Sequence, residues 1–235
     1  MSDYQPPIQE MLFVLHDVLG FENADLDRET TEAILEEAAK LASEVLAPIN
    51  RSADEQGARF VDGHVKVADG FKDAYKTYCD GGWNSVPFDP EYGGQGLPWA
   101  IAFPIQEMWQ GANMSFGLCP LLNQATVEAI SSHGSDAQKS YYLSKLISGE
   151  WTGTMNLTEA QAGSDLGLLR AKAEKQSDGS YKISGQKIFI TYGDHDMADN
   201  IIHLVLARIS GAPDDVRGLS LFIVPKMLEG GGGMP

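Results

Sequence analysis

Apolar residues recur every three or four positions through roughly the first 150 residues, which is the spacing of amphipathic helices. The pattern predicts a leading helix after Pro6 and Pro7, with an apolar face formed by Ile8, Met11, Leu12, Leu15, Val18 and Leu19. It also predicts a long helix over residues 27–53, whose glutamate-rich first half suits the positive end of a helix dipole. Pro48 is expected to end or kink that helix.

The rest of this half alternates helices with turn-forming segments. We predict a hairpin around Asp62 and Gly63 in residues 59–67, a helix over 70–78, a Gly- and Pro-rich loop over 88–98, helices near 99–110 and 115–133, and a last helix capped by Asp136 and stopped by Gly149. His133 and Gly134 are typical of a helix C-terminus, where a cationic side chain suits the dipole.

After Gly149 the pattern changes to β-prone, turn-bounded segments at residues 151–158, 168–175, 180–191, 200–209 and 217–224. The sequence therefore predicts an α+β fold. An all-helical domain, residues 1–150 with a leading extension helix, is expected to precede a small antiparallel β-barrel or sandwich domain, residues 151–228. The glycine-rich end, residues 229–235, is predicted to be a flexible stub.

Composition argues against several classes of function. The 235 residues include 17 Lys and Arg against 33 Asp and Glu, a formal net charge of −16, which opposes binding to nucleic acid. No apolar run reaches a membrane-spanning length, so we expect no membrane partner. The N-terminus lacks the features of a signal or transit peptide. Cys79 and Cys119 follow no disulfide or zinc pattern. These features predict a cytoplasmic protein.

Two segments are candidates for chemistry. The segment TEAQAGSD, residues 158–165, follows an apolar strand and ends in small residues whose backbone amides can close on phosphate oxygens. Such residues also make ordinary turns, and the segment alone favours the turn. The second candidate comprises Asp194, His195, Asp196 and Asp199. No second His or Cys lies nearby, so a solvated loop is predicted rather than a metal site.

Five segments, in order along the chain, resemble the acyl-CoA dehydrogenase family. TEAQAGSD and the later GQKIFIT, residues 185–191, match its T-E-x-x-A/G-G-S-D loop and its G-x-K-x-(W/F)-I-(T/S) strand. Three further stretches agree in order and spacing: LAPI from Leu46, PEYGGQGL from Pro90 and HGSDAQK from His133. WTGTMNLT, residues 151–158, and GDHDMADN, residues 193–200, look most like the bacterial subgroup similar to 3-methylmercaptopropionyl-CoA dehydrogenases.

The resemblance implies a flavoenzyme that acts on an acyl-CoA. In the family, a glutamate removes the α proton of the thioester while the β hydrogen leaves as hydride to FAD. An electron-transfer flavoprotein, or an equivalent acceptor, then takes the electrons. The resemblance therefore implies FAD as cofactor, acyl-CoA as substrate, that acceptor as partner, and a homo-oligomer for the full-length protein.

Carried onto this sequence, the resemblance implies cofactor contacts from Met155, Leu157, Thr158, Gly163, Ser164, Phe189, Ile190 and Thr191. Phe189 would pack flat against the flavin, and Thr191 would hydrogen-bond near its N5 atom. Gly163 and Ser164 would approach the pyrophosphate, and Ser164 would also touch the acyl-CoA. Glu159 is a loop residue in the family pattern and is not expected to be the catalytic base.

The family pattern continues after the β domain with a C-terminal four-helix domain, which this chain is expected to lack. That domain supplies the catalytic glutamate, so no catalytic residue is assigned here, and the fragment alone is expected to be inactive. Two alternatives stay open. One is a relative with another activity, such as a flavin monooxygenase, a nitroalkane oxidase or an alkylation-response protein; the other is a non-catalytic FAD- or CoA-binding module.

Overall fold

The computed structural model describes residues 4–228. The helices are α1 (Ile8–Leu12), α2 (Arg28–Lys40), α3 (Ala47–Gln56), α4 (Phe71–Asp80), α5 (Trp99–His133) and α6 (Asp136–Ser148). The strands are β1 (Arg59–Val61), β2 (His64–Lys66), β3 (Trp151–Asn156), β4 (Lys172–Lys175), β5 (Tyr181–Ser184), β6 (Asn200–Ile209) and β7 (Leu219–Pro225). The predicted α+β fold, helices first and sheet second, is confirmed. None of the helices within residues 4–228 is long and apolar enough to cross a membrane.

The predicted leading helix and long helix both contain a π-helical turn. The first turn, Phe13–Val18, continues α1, and the second, Leu41–Leu46, joins α2 to α3. The apolar face of the leading helix is only partly covered, because Val18 and Leu19 are exposed while the buried members are Met11, Leu12 and Leu15. Pro48 is the second residue of α3 and directly follows the second π-helical turn, inside a helical run that continues from Arg28 to Gln56. The helix therefore does not end at Pro48, and its departure from regular α-helical hydrogen bonding lies in the turn before the proline.

The gap predicted between two helices lies at Asn113, inside α5. Asn113 has φ −160° and ψ 89°. Its side-chain oxygen accepts a hydrogen bond from Phe116 N at 3.1 Å, and its amide donates to Leu46 O at 3.2 Å. Asn113 thus caps the second segment of α5 and ties it to the π-helical turn before α3.

The N-terminus of α6 corrects one prediction. Its N-cap is Ser135, not Asp136, because Ser135 forms a reciprocal capping box with Gln138. The C-terminal prediction is confirmed, since Gly149 follows α6 in the left-handed conformation.

The second half of the described chain is a five-stranded sheet in which β6 is central. β6 pairs antiparallel with β7 on one edge. Its other edge takes β3 over residues 200–205 and then β4 over residues 208–209, both parallel. β5 completes the sheet antiparallel to β4. The sheet is therefore mixed rather than wholly antiparallel as predicted. The ten residues of β6 are long enough for β3 and β4 to pair end to end along one edge.

The strand predicted over residues 180–191 ends early. β5 stops at Ser184, and residues 185–191 form a loop. Gly185 adopts φ +145°, and a Cβ there would lie 2.8 Å from Ala171 Cα. Phe189 has φ 58°, which no β strand accommodates. The GQKIFIT motif is therefore a loop, not a strand.

Contact between α5 and β3 joins the helical half to the sheet. A Cβ built at Gly153 on β3 would lie 2.3 Å from Thr126 Cβ and Oγ1 on α5. Around this contact lies a buried cluster made of Phe88, Val127, Ile130, Leu143, Leu146, Ile147, Trp151, Ile202 and Leu204. Only glycine lets β3 approach α5 this closely, so Gly153 sets the position of the sheet against the helices.

Gly153→Ala is expected to lower the free energy of unfolding by about 1–3 kcal/mol, because the added methyl overpacks a rigid contact with a β-branched side chain. Urea denaturation measures the effect. The matched control is Gly163→Ala, where a Cβ would meet nothing within 4 Å, and where stability should be unchanged or slightly higher. Equal stability of the two variants would show that Gly153 is not a packing constraint.

Candidate functional site

A buried carboxylate organises the TEAQAGSD segment, called here the first loop (residues 158–165). Glu159 is 4% exposed, and it accepts hydrogen bonds from Arg170 N at 2.7 Å and Ala171 N at 3.0 Å. Gln161 Nε2 donates to the same carboxylate at 2.7 Å. The backbones of Glu159 and Ala162 also exchange two hydrogen bonds, each of 3.0 Å. The first loop is therefore a compact, internally bonded turn.

Lys187 joins the first loop to the second loop, which we define as residues 185–191. Its Nζ lies 2.9 Å from Glu159 Oε1 and 2.9 Å from Leu157 O, and its side chain is 9% exposed. Ile188 N donates to Thr158 O at 3.0 Å. The two sequence motifs therefore meet through a buried ion pair and a backbone hydrogen bond.

The environment of Glu159 sets its pKa and so determines whether it can act as a general base. Burial alone would raise its pKa, but hydrogen bonds from the Arg170 backbone, Lys187, the Ala171 backbone and Gln161 outweigh burial and lower the pKa to about 2. A general base works best with a pKa near the operating pH, and this carboxylate is far below it. Glu159 is therefore a structural group that holds the two loops together.

The end of the first loop faces outward. Gly163 and Ser164 are both exposed, and a Cβ at Gly163 would meet nothing within 4 Å. Unlike Gly153, Gly163 is not close to any described residue that would exclude a larger side chain at this position. A small residue followed by a hydroxyl can approach an anionic group closely and donate hydrogen bonds to it.

The second loop presents an aromatic side chain. Phe189 is 89% exposed at φ 58°, a backbone conformation that costs roughly 1–2 kcal/mol for an L-residue. The loop is held after Phe189, because Thr154 Oγ1 donates to Thr191 O at 2.7 Å and the Tyr192 hydroxyl donates to Ser115 O on α5. Backbone strain clusters at functional sites, and an exposed aromatic ring offers a face on which a planar ligand can stack.

The other residues predicted to touch the cofactor lie beside these two loops. Met155, Leu157, Thr158, Ile190 and Thr191 are all half-buried. Met155 packs against the cluster between α5, α6 and the sheet. Ile190 and Thr191 line a cleft that opens beside the second loop. The structure thus brings the predicted residues to one region, and the contacts assigned to each stay predictions.

The second candidate segment, predicted to be a solvated loop, is a loop, but only Asp199 is exposed: His195 is buried, and Asp194 and Asp196 are half-buried. Asp196 pairs with Lys72 at 2.6 Å and with Lys66 at 3.2 Å, and Asp194 pairs with Lys226. We call Asp194 and Asp196 the acidic clamp. Within residues 4–228, no three potential metal-binding side chains form a cluster. The lysine partners come from distant segments of the chain. The only feature of the local sequence that indicated the acidic clamp was the high density of carboxylates after the second motif.

Two histidines near the acidic clamp, His195 and His203, are buried. His195 Nδ1 accepts from Met197 N at 3.1 Å, so its Nε2 is free to donate to Thr152 Oγ1, 2.9 Å away. His203 Nδ1 lies 3.0 Å from Asn156 Nδ2. Burial, reinforced by the positive charge of Lys226, lowers the pKa of both histidines to about 4. Both side chains are therefore neutral in the folded protein near pH 7.

Stability is expected to fall as the pH is lowered from about 6.5 to about 4. The histidine pKa is about 4 in the folded state and about 6.5 when unfolded, so the unfolded chain binds more protons in this window. Each unit of difference corresponds to about 1.4 kcal/mol, so the loss amounts to about 3 kcal/mol for each of the two histidines. Urea denaturation across this pH range measures it, with a flatter slope expected for His195→Gln. A slope that is flat for the unsubstituted protein would contradict neutral, buried histidines.

Comparison with known proteins identifies the family. Residues 28–150 match the sequence model of the acyl-CoA dehydrogenase N-terminal domain, and residues 154–233 match that of the acyl-CoA dehydrogenase middle domain. The chain belongs to the acyl-CoA dehydrogenase family. The resemblance of the five motif segments is thereby confirmed.

Individual acyl-CoA dehydrogenases are similar to this chain in sequence or in fold. The chain is 47% identical to the 3-methylmercaptopropionyl-CoA dehydrogenase of Ruegeria pomeroyi, over 98% of this chain and 40% of that protein. It is 40% identical to a butyryl-CoA dehydrogenase of Syntrophomonas wolfei, over 83% of this chain and 32% of that protein. An acyl-CoA dehydrogenase from Bacillus anthracis, solved in complex with FAD, shares the fold with a TM-score of 0.70 at 24% identity, over 92% of this chain and 34% of that one. The chain thus spans 40% or less of these relatives.

Proposed function

We propose that this chain is the N-terminal and middle part of an FAD-dependent acyl-CoA dehydrogenase. Residues 1–150 form its helical domain on this proposal, and residues 151–228 form its flavin-binding β domain. The observation that carries the proposal is the junction of the two motif loops. The buried Glu159–Lys187 pair holds the open Gly163 and the strained, exposed Phe189 on one connected unit.

The residues present fit FAD. Gly163 and Ser164 are exposed and leave space for a pyrophosphate. Their side chains are small, so their backbone N–H groups can approach the phosphate oxygens closely and donate hydrogen bonds to them. Phe189 offers a flat apolar surface for an isoalloxazine ring, and Thr191 offers a hydroxyl at the edge of the same loop. When bound, FAD supplies the acceptor for the hydride that leaves the β carbon of the substrate. The chain itself binds and orients that group.

The substrate is an acyl-CoA thioester on this proposal, with Ser164 contacting it from the first loop. On this proposal the catalytic base lies in a part of the complete protein that corresponds to the region of the relatives not spanned by this chain. Supporting this, Glu159, Asp194 and Asp196 lie beside the loops, each is paired with a lysine, and each pKa is lowered by hydrogen bonds that outweigh burial. Such carboxylates are poorly matched to proton abstraction near pH 7.

The same proposal extends to the partners of the whole protein. An electron-transfer flavoprotein, or an equivalent acceptor, would reoxidise the cofactor, and the complete chain would assemble as a homo-oligomer in the cytoplasm. The acidic balance of the chain, −16, gives no support to the alkylation-response alternative, which requires a DNA-binding surface.

Anaerobic mixing of the complete FAD-loaded protein with acyl-CoA tests the proposal. The flavin absorbance should bleach on addition of butyryl-CoA, with formation of the α,β-unsaturated thioester. A flavin that binds but is not reduced by any acyl-CoA would indicate a binding module. Oxygen consumption supported by a supplied reduced flavin would indicate a monooxygenase.

A further inference from the structure

A cleft of about 530 Å³ opens beside the second loop. Its volume is within the range of roughly 300–1,000 Å³ that is common for small-molecule sites. It is bounded by α3, the β1–β2 hairpin, α4, α5 and the segment after Phe189, and its apolar lining includes Val65, Val67, Phe71, Leu118 and Ile190. Thr191 is part of the lining, and Val65 of the hairpin and Val67 directly after it form a wall.

The acidic clamp holds that wall. Val65 N donates to Asp194 Oδ2 at 3.3 Å, and Val67 N donates to Asp196 Oδ1 at 3.1 Å. Asp196 also pairs with Lys66 on β2 and with Lys72 on α4. The hairpin consists of two strands of three residues each, and an isolated hairpin of this kind is marginally stable. Its position therefore depends on these bonds to the chain that follows the second loop.

We propose that the β1–β2 hairpin limits the length of the acyl chain that the enzyme accepts, and that the acidic clamp positions this wall. The proposal rests on the function proposed above. If Thr191 lies beside the flavin, the reacting carbons of the substrate lie near the part of the cleft that Thr191 lines. An unbranched apolar acyl tail then extends along Ile190 and Leu118 towards Val65 and Val67, where apolar burial favours it. The occupant is the tail of the substrate.

Val65→Trp tests the wall directly in the complete FAD-loaded protein. Flavin reduction is measured with butyryl-, octanoyl- and dodecanoyl-CoA, and kcat/KM is compared along the series. The indole should fill the cleft and reduce kcat/KM by at least about 10-fold for the longest acyl-CoA that the unsubstituted protein accepts, with little change for butyryl-CoA.

The matched control is Val61→Trp on the same hairpin. Phe60 pairs with Val65 across the strands, whereas Val61 pairs with His64, so Val61 points to the opposite face from Val65. Val61 is 44% exposed, outside the cleft lining. Its substitution should leave the chain-length profile unchanged.

Asp196→Asn tests the clamp as a positioning residue. The amide oxygen can still accept from Val67 N, but the attraction to Lys66 and Lys72 is lost. The ratio of kcat/KM for dodecanoyl-CoA to that for butyryl-CoA should change by at least about 3-fold, with FAD content and kcat for butyryl-CoA retained. A residue that merely stabilised the fold would alter all acyl-CoAs equally.

The outcomes separate this proposal from the one on which it rests. If acyl-CoAs reduce the flavin but Val65→Trp and Val61→Trp give the same chain-length profile, the hairpin proposal is overturned and the dehydrogenase proposal stands. If no acyl-CoA reduces the flavin of the unsubstituted protein, both are overturned. If Val65→Trp does not fold with FAD, an unchanged ratio in Asp196→Asn overturns the hairpin proposal.

Discussion

Glu159→Gln is expected to lower the free energy of unfolding by about 3–5 kcal/mol, the cost of breaking a buried ion pair by removing one partner. The Lys187 side chain is 9% exposed and would be left without its counter-charge. The glutamine amide would also face the backbone donors of Arg170 and Ala171, which now point at a carboxylate. Urea or thermal denaturation of the purified protein measures the loss. The ion pair that connects the two loops is absent from this variant.

Glu55→Gln is the matched control for that experiment. Glu55 also pairs with a cation, Arg51, but both side chains are exposed, at 64% and 91%. Exposed pairs contribute between about 0 and 1 kcal/mol, so this variant should be almost unchanged in stability. Comparable losses in the two variants would mean that the Glu159–Lys187 pair does not join the motifs in the way that the contacts indicate.

Gly163→Val is expected to weaken FAD binding by at least about 100-fold while leaving the stability of the FAD-free protein within about 0.5 kcal/mol of its original value. The described chain offers no atom within 4 Å of a Cβ at this position, and Gly163 does not adopt a left-handed φ. A bound pyrophosphate would meet the new methyl groups. Two lost hydrogen bonds to a charged group, at about 1.5–3 kcal/mol each, amount to this factor or more.

FAD titration and urea denaturation of the same preparations separate the two effects. Ala160→Val serves as the control, because Ala160 is exposed on the same loop but is not a predicted contact. Full FAD affinity in Gly163→Val would contradict the assignment of the pyrophosphate to this loop. A large loss of stability without FAD would show instead that the glycine serves the fold.

Helical periodicity predicted the architecture of the first half well, because each helix buries apolar side chains that recur every three or four residues. The break in α5 was predicted from the change of pattern, and its cause became visible only in the bonds of Asn113 to Phe116 and Leu46. Periodicity does not reveal how far a face is covered. Val18 and Leu19 fit the helical pattern but are exposed.

The pairing of the strands could not be predicted from the sequence. β-prone segments were identified, but their partners depend on long-range register, and β6 accepts β3 and β4 in parallel on one edge. The strand predicted through residue 191 stops at Ser184, because Gly185 and Phe189 adopt positive φ values that a strand cannot contain.

The site was predicted by motif resemblance, not by derivation from chemistry. TEAQAGSD alone favoured an ordinary turn, and nothing in local sequence shows that Glu159 and Lys187, 28 positions apart, form a buried pair. The acidic clamp shows the same limitation. Its carboxylates looked solvated because Lys66, Lys72 and Lys226 come from other elements. Charge neutralisation across the fold decides whether such a cluster is structured.

A crystal structure of the complete protein with FAD shows whether the two loops hold the cofactor. We expect pyrophosphate oxygens within about 3.2 Å of the Gly163 and Ser164 backbone nitrogens, and the isoalloxazine stacked on Phe189 with its N5 atom within the same distance of Thr191. An FAD bound elsewhere, with Gly163 and Phe189 still facing solvent, would contradict it.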